Sequence, residues 1–251
     1  MAAAAGAGVS RPAAEIKMTE IPQKQVTIGK IPAILWGEPG EKLYIYVHGL
    51  CGCKEEAESF SSIVCPRGWQ VLSPDLPGHG ERKHDTDGFV PWQVVPELQS
   101  VLAYAQTRWE RIAVRATSIG AWFCMMSFEN EPLERCLFVS PVPDMNYLIE
   151  NMMRQAGVTD EQLEKEQIIP TQSSQALPWK YLTYVREHPI ASWEKPTRIL
   201  YAENDNLIDL SVVDDFSRRF HCHLTIMKGG EHWFHTPEQM DFLDRWIRSR
   251  L

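Results

Sequence analysis

The stretch from Glu110 to Phe128 most constrains what this chain can fold into. It opens with a short apolar run, 112–116, that predicts a buried strand. The run meets Thr117-Ser118-Ile119-Gly120 and continues into an apolar segment, 121–128, that predicts a helix. A serine at a sharp turn between strand and helix stands clear of the sheet, and the first helical amides point to the same place. The pattern indicates a nucleophilic serine, although a serine that caps an ordinary helix fits these residues equally well.

The two small neighbours of this serine bear on that choice. Gly120 lies two residues after Ser118 and allows the helix to approach a neighbouring strand closely. Ala116 lies two residues before it, where the usual pattern has glycine. Alanine is small enough for that position, but the motif departs from its common form, so the rest of the chain has to decide.

Length and composition bound the domain organisation. The chain has 251 residues, of which 44% are hydrophobic and 23% charged. That is enough for one full core and short for two domains, so a single domain is expected over 21–251. The first 20 residues are low in complexity and lack the basic start and long apolar core of a signal peptide. We interpret them as a flexible tail or a remnant of expression.

Charge, hydropathy and cysteine usage argue against a nucleic-acid partner, a membrane span, a zinc site and a disulfide framework. The net charge is −8 and no basic stripe is visible, so a nucleic-acid partner is not expected. No apolar run approaches the length of a membrane span. The six cysteines are scattered and form no CxxC pair, which indicates neither a zinc site nor a disulfide framework. A reduced, cytoplasmic protein is the expectation.

Strand and helix patterns alternate along most of the chain. The strand patterns lie at 25–28, 31–36, 42–47, 69–73, 112–116, 135–139, 198–202 and 223–227. The helix patterns lie at 55–63, 92–108, 121–128, 211–220 and from 237 onward. This order predicts an α/β fold with a mostly parallel sheet of about eight strands and helices on both faces. The stretch 144–193, rich in methionine and aromatic residues, interrupts the alternation and predicts a small helical lid insertion.

Residues with catalytic side chains follow several of the predicted strands. The stretches concerned are 48–52, 75–80, 117–120, 203–206 and 229–232. The carboxyl ends of parallel strands meet at one edge of a sheet, and ligand sites gather there. Serine catalysis needs a base within hydrogen-bond reach and an acid that orients the base. Ser118, Asp205 and His232 provide these groups in the order serine, acid, histidine.

With these motifs the chain resembles the α/β-hydrolase superfamily. Within it, the sequence is most similar to the branch of small serine esterases, monoglyceride-lipase-like enzymes and serine-aminopeptidase-like enzymes. The resemblance extends from about Lys24 to the C-terminus. Each motif is loose by itself, but five of them in the correct order at the correct strand ends are specific. The resemblance implies the α/β-hydrolase fold.

The resemblance also implies the catalytic roles. Ser118 is the expected nucleophile, His232 the general base and Asp205 the acid. His235 is a rival for the base and Asp209 a rival for the acid, and we favour His232 and Asp205. A metal held by the two histidines would need further ligands, and no metal is expected.

The expected oxyanion hole consists of two backbone amides. By the resemblance these belong to Ile119, which follows the nucleophile, and Leu50, which follows the His-Gly pair. His48 is expected to orient the loop rather than take part in the chemistry. His79 lies in a stretch that resembles a structural feature of the family, and a catalytic role for it is not favoured.

The substrate pocket is predicted only in outline. Small residues beside the oxyanion loop and the methionine and aromatic residues of the insertion are candidates for lining it. The candidates are Cys51, Met145, Met152, Trp179, Trp193 and Trp233. The insertion residues could equally do no more than cover the sheet.

Together these features predict a serine hydrolase that cleaves a small carboxylic ester, with an apolar or aromatic acyl group, through an acyl-serine intermediate. Its only expected partner is the small-molecule ester, with no cofactor, and the oligomeric state stays open. The same residues could act on a thioester, a peptide or a carbon–carbon bond. A non-catalytic binding protein of the same fold is a further alternative, disfavoured because all three catalytic residues are present. An engineered or repurposed variant is the third alternative, and only the N-terminal tail suggests it.

Overall fold

The computed structural model describes residues 21–170 and 176–251, so the expected N-terminal tail lies outside the described residues. The strands are β1 (Gln23–Ile28), β2 (Ile31–Trp36), β3 (Lys42–Val47), β4 (Trp69–Pro74), β5 (Arg111–Thr117), β6 (Cys136–Val139), β7 (Ile168–Pro170), β8 (Ala176–Pro178), β9 (Thr197–Asn204) and β10 (His223–Glu231). The helices are α1 (Ala57–Val64), α2 (Pro91–Gln106), α3 (Ile119–Phe128), α4 (Met145–Ala156), α5 (Asp160–Glu166), α6 (Trp179–Glu187), α7 (Leu210–Arg219) and α8 (Pro237–Arg248). Short 3₁₀ turns lie at Lys54–Glu56, Cys65–Arg67, Gly80–Arg82 and Thr86–Gly88.

Eight of these strands form one mostly parallel sheet. Their order across the sheet is β1-β2-β4-β3-β5-β6-β9-β10. The first two strands pair antiparallel, as do β2 and β4, and every pair from β4 to β10 is parallel. The predicted sheet of about eight strands is confirmed. Because β3, β5, β9 and β10 run in the same direction, the loops that follow them emerge at the same edge.

Helices cover both faces of the sheet, as the alternation predicts. One face packs against α1 and α8 through an apolar cluster that includes Phe60 and Trp246. The other face packs against α2, α3 and α7 through a larger cluster that includes the buried Phe123. The buried strands carry almost continuous apolar runs, which is the pattern of a sheet covered on both sides.

The segment between β6 and β9, called the insertion here, joins the larger of these two clusters. It contains α4, α5, α6 and a two-stranded antiparallel hairpin, β7–β8, that the sequence did not predict. Met145, Ile149 and Met153 on α4 and Leu182 on α6 are buried against the rest of that cluster. The insertion therefore lies on the α2 and α3 side of the sheet. Across the described ranges, no helix is long and apolar enough to cross a membrane.

The last strand runs further than its apolar pattern indicates. The sequence predicts an end at Met227, whereas β10 continues to Glu231. The pairing with β9 is irregular between these two residues, and Gly229 has a φ of 67°. Gly229 also donates its N–H to Glu203 at 2.8 Å. This irregular end of β10 delivers His232 to the carboxyl edge of the sheet.

Helix α3 approaches the end of β3 more closely than any side chain would allow. A Cβ atom at Gly120 would lie 2.3 Å from the carbonyl oxygen of His48 and 2.9 Å from that of Val47. Neither neighbour is a flexible side chain, so the backbone itself would have to move. The close approach expected from the sequence at Gly120 is present.

We expect Gly120→Ala to destabilise the protein by about 1–3 kcal/mol, because overpacking at a rigid contact forces a backbone shift. Gly40→Ala is the matched control, since the nearest atom to a Cβ there is at an ordinary 3.6 Å. It should change stability by no more than about 0.5 kcal/mol. Urea unfolding of the two variants measures both values, and equal stability of the two would contradict the steric argument.

Candidate active site

Ser118 occupies a strained turn between β5 and α3. Its φ is 51°, a conformation that residues with side chains rarely adopt. Its N–H donates to the carbonyl of Val139 at 3.0 Å, and its carbonyl accepts from Val142 at 3.2 Å. The side-chain hydroxyl makes no capping bond to α3. The helix-cap alternative therefore does not describe this serine, whose hydroxyl points elsewhere.

The hydroxyl of Ser118 lies 2.9 Å from Nε2 of His232, and Nδ1 of that ring lies 2.6 Å from Oδ2 of Asp205. The carboxylate is fully buried, and its Oδ1 accepts the N–H groups of Leu207 and Ile208 at 2.9 and 3.1 Å. A carboxylate only accepts, so Nδ1 of the histidine carries the proton. Nε2 is then free to accept the hydroxyl proton. The structure thus brings together all three residues predicted for the triad.

The two rival residues lie in other contacts. Oδ2 of Asp209 accepts from the Tyr147 hydroxyl at 2.5 Å, which raises the pKa of the phenol. His235 is exposed, with Nδ1 2.7 Å from the carbonyl of Trp233 and its ring stacked on that indole. Neither rival reaches Ser118 in the described structure.

The loop after β3 passes directly beside the serine. A Cβ at Gly49 would lie 3.3 Å from the Cβ of Ser118. Leu50 follows it and is 45% exposed at the open edge of the sheet. Ile119 is the first residue of α3, so its N–H has no acceptor within the helix. Both amides lie beside the serine, and their role as an oxyanion hole stays a prediction.

A buried ion pair that the sequence does not reveal joins the end of this loop to the loop after β4. Asp75, fully buried after β4, accepts the backbone N–H of Lys54 at 2.8 Å and its Nζ at 2.9 Å. It also accepts the N–H of Glu81 at 3.0 Å. Burial tends to lower the pKa of the lysine, but bonds to three carboxylates outweigh it and raise the pKa. A Cβ at Gly80 would lie 2.1 Å from this aspartate, so the turn requires glycine.

A second buried cation, Arg115, lies on β5 three residues before the serine. It is 3% exposed and forms no salt bridge within the described residues. Its Nη1 donates to the carbonyl of Ala116 at 2.7 Å and to the hydroxyl of Thr117 at 2.8 Å. Burial lowers the pKa of this guanidinium. It ties together the two residues that precede the strained turn.

The candidate pocket residues are not gathered at one place. Cys51 and Trp233 are exposed beside the serine and histidine, and Trp233 is 74% exposed. Met152 and Trp179 are partly buried in the insertion. Met145 is buried and borders a cavity of about 440 Å³ between α4, α6 and α7. The lining of that cavity includes none of the three triad candidates, so we place the reacting centre outside it.

The structure separates Trp193 from this site, which corrects its assignment to the pocket. Its indole is 1% exposed, packs near Phe138 and donates to the hydroxyl of Thr197 at 2.7 Å. Thr197 begins β9, so this tryptophan lies at the amino end of the sheet, opposite the serine. The aromatic pattern of the insertion does not distinguish core residues from pocket residues.

Similar folds are found among solved structures. Est1E from Butyrivibrio proteoclasticus, with ferulic acid bound, is similar over 90% of this chain and 97% of its own, with a TM-score of 0.71 and 16% identity. Alpha/beta hydrolase domain-containing protein 10 from mouse is similar over 91% and 98%, with a TM-score of 0.73 and 11% identity. A proline iminopeptidase-related protein from Thermus thermophilus is similar over 93% and 99%, with a TM-score of 0.61 and 14% identity.

The chain has the α/β-hydrolase fold. The strand order, the helices on both faces and these similarities confirm the expected fold class. No protein-family model matches the chain, and no curated protein matches its sequence. At such low identities the similarity shows the fold alone. Among the described residues, no group of three or more histidine, cysteine, aspartate or glutamate side chains is arranged to hold a metal.

Burial of His48 predicts an acid-sensitive component of stability. Burial lowers the pKa of this histidine from 6.5 to about 4. Between these two pH values the unfolded chain binds a proton that the folded chain does not, so stability falls as pH falls from 6.5 toward 4. The expected loss from this residue is about 3 kcal/mol.

Urea unfolding at pH 7, 5.5 and 4.5 tests this expectation in wild type, His48→Gln and His84→Gln. Other groups titrate in the same range, so the difference between variants carries the result. His48→Gln should lose less stability on acidification than the exposed control His84→Gln. The same loss in both variants would show that His48 is not the group responsible.

Proposed function

We propose that this protein is a serine hydrolase that cleaves small carboxylic esters through an acyl-serine intermediate. The observation that carries the proposal is the continuous hydrogen-bonded row from Ser118 through His232 to the buried Asp205, with contacts of 2.9 and 2.6 Å. The row is formed by loops at the carboxyl edge of the sheet, and the serine is held in the strained turn that such chemistry uses.

In the first half-reaction, Ser118 Oγ attacks the carbonyl carbon of the ester and His232 Nε2 takes the hydroxyl proton. Asp205 stabilises the resulting imidazolium through its bond to Nδ1. The backbone N–H groups of Leu50 and Ile119 donate hydrogen bonds to the oxyanion of the tetrahedral intermediate. When the carbon–oxygen bond to the alcohol breaks, His232 returns the proton to the leaving alkoxide oxygen, and an acyl-serine remains.

In the second half-reaction, water replaces the alcohol. His232 Nε2 takes a proton from the water as its oxygen attacks the acyl carbon. The second tetrahedral intermediate uses the same two amides, and its collapse breaks the bond to Ser118 Oγ. The proton passes from the histidine to the serine oxygen, which restores the free enzyme and releases the carboxylic acid.

We propose an apolar or aromatic acyl group for the ester. Two large apolar side chains, Leu50 and Trp233, are exposed on the loops that carry the serine's neighbour Gly49 and the histidine. The net charge of −8 does not favour a polyanionic substrate. The similar fold of Est1E with ferulic acid bound supports an aromatic acid as one candidate product. Met152 and Trp179 of the insertion stay candidates for setting the acyl preference.

Ester hydrolysis is favoured over a binding function because a receptor has no need of a strained serine bonded to an oriented histidine. Thioester, peptide and carbon–carbon bond cleavage would use the same groups, so the assay should compare these substrates directly.

All six cysteines are free thiols, which supports a reducing compartment such as the cytoplasm.

Ser118→Ala should lower hydrolysis of p-nitrophenyl esters by about a thousandfold or more, because the nucleophile is lost. Labelling by a fluorophosphonate probe should disappear with it. Ser140→Ala is a suitable control, since this buried serine follows β6 and its hydroxyl forms no hydrogen bond with the proposed triad in the described structure. Labelling of Ser118→Ala at the wild-type rate would place the nucleophile elsewhere.

Asp205→Asn should lower kcat by up to about 10⁴-fold, although by less than Ser118→Ala does, because the amide favours the wrong tautomer of the catalytic histidine. Asp209→Asn removes a carboxylate from the same loop and should keep most of the activity, since its partner is Tyr147. Steady-state kinetics of the two variants make the comparison. A greater loss in Asp209→Asn would move the acid to that position.

A further inference from the structure

The loop after β3, residues 48–52, contains one residue in a strained backbone conformation. Cys51, the residue after Leu50, has a φ of 63°. Residues with side chains keep such a conformation only where their surroundings fix it. The turn is closed by the N–H of Gly52, which donates to the carbonyl of Gly49 at 3.2 Å. The N–H of Cys51 itself leaves the turn and donates to Nε2 of His79 at 3.0 Å.

The ring of His79 is restricted to one tautomer. Its Nδ1 lies 2.8 Å from the carbonyl oxygen of Pro77, and a carbonyl only accepts, so Nδ1 carries the proton. Nε2 is then the acceptor that the Cys51 amide requires. The ring is buried and lies against Phe89 at a centroid distance of 4.5 Å. Both nitrogens are occupied by backbone groups, so His79 has no nitrogen left for proton transfer.

His48 makes the reciprocal contact between the same two loops. Its Nδ1 donates to the carbonyl of Gly49 at 2.8 Å, and its Nε2 accepts the N–H of Leu76 at 3.1 Å. The rings of His48 and His79 are 5.1 Å apart. Each histidine therefore binds a backbone amide of the other loop. The carboxylate of Asp75, which acts electrostatically on His48, is itself bonded to Lys54.

We propose that His79 is a positioning residue for the oxyanion site, through its bond to the Cys51 amide. That bond fixes the peptide unit between Leu50 and Cys51. It thereby sets the direction of the neighbouring Leu50 N–H, which the proposed mechanism uses to bind the oxyanion. This inference rests on the proposed hydrolase function, because an oxyanion forms only if Ser118 attacks a carbonyl.

Three variants separate positioning from mere support of the fold. His79→Phe keeps a flat ring but removes the acceptor, so the Cys51 amide loses its partner. His79→Gln places a side-chain oxygen near the former Nε2 and keeps the acceptor. His84→Phe changes an exposed histidine five residues further along the chain and is the matched control.

We expect His79→Phe to lower kcat for p-nitrophenyl acetate by about 10–100-fold with KM nearly unchanged, because the displaced donor acts only in the transition state. The affinity for a trifluoromethyl ketone, which forms a tetrahedral adduct, should fall by a similar factor. His79→Gln should recover at least half of the loss on a logarithmic scale. His84→Phe should equal wild type in both measurements.

The opposite pattern overturns the inference. If His79→Phe and His79→Gln lower only the melting temperature, with kcat and ketone affinity per folded molecule unchanged, His79 supports the fold alone. If ester hydrolysis does not depend on Ser118, the proposed function fails and takes this inference with it. If hydrolysis depends on Ser118 but His79→Phe is normal, only the role of His79 fails.

A spectroscopic measurement covers the case in which His79→Phe does not fold. In the Ser118→Ala protein with ¹⁵N-labelled histidine, NMR should show His79 with the proton on Nδ1 and a hydrogen-bond coupling from Nε2 to the Cys51 amide. A proton on Nε2 would overturn the inference, because that nitrogen could not then accept.

Discussion

The contact between the end of β3 and the first turn of α3 brings together the loops at the carboxyl edge of the sheet. Only glycine fits at position 120, where a side chain would meet the carbonyl of His48. Between β5 and α3, two residues before this contact, the chain turns sharply and Ser118 takes a positive φ. The same contact brings Gly49 beside the serine. The proposed nucleophile and the loop after β3 thus lie on either side of one close backbone contact.

Much of this arrangement follows from local sequence patterns. Apolar runs such as 42–47, rich in β-branched and aromatic residues, are recognisable as buried strands. The loops that follow parallel strands then lie at one edge of the sheet. For this reason Ser118, Asp205 and His232 could be expected at one edge from their order and their positions after the predicted strands, although the serine and histidine are 114 residues apart. Their catalytic roles stay predictions until the variants are measured.

Other features depend on partners that no local pattern contains. A lysine or arginine in sequence indicates a solvated charge, yet Lys54 and Arg115 are buried. The lysine is buried because Asp75, 21 residues further on, offers both carboxylate oxygens. Trp193 resembles a pocket residue by composition, but its indole finds a hydroxyl at the amino end of β9. The burial and contacts of such residues depend on partners that are distant in sequence, which the folded chain brings close.

The insertion between β6 and β9 contributes none of the three proposed triad residues. The hydroxyl of Tyr147 in the insertion donates to Asp209, in the loop after β9 that also carries Asp205. This hydrogen bond involves neither Asp205 nor His232. In evolutionary terms the insertion and the proposed reacting groups face separate constraints. A substitution in the insertion is limited by its packing against the larger apolar cluster, whereas a substitution of Ser118, Asp205 or His232 is limited by the chemistry proposed for them.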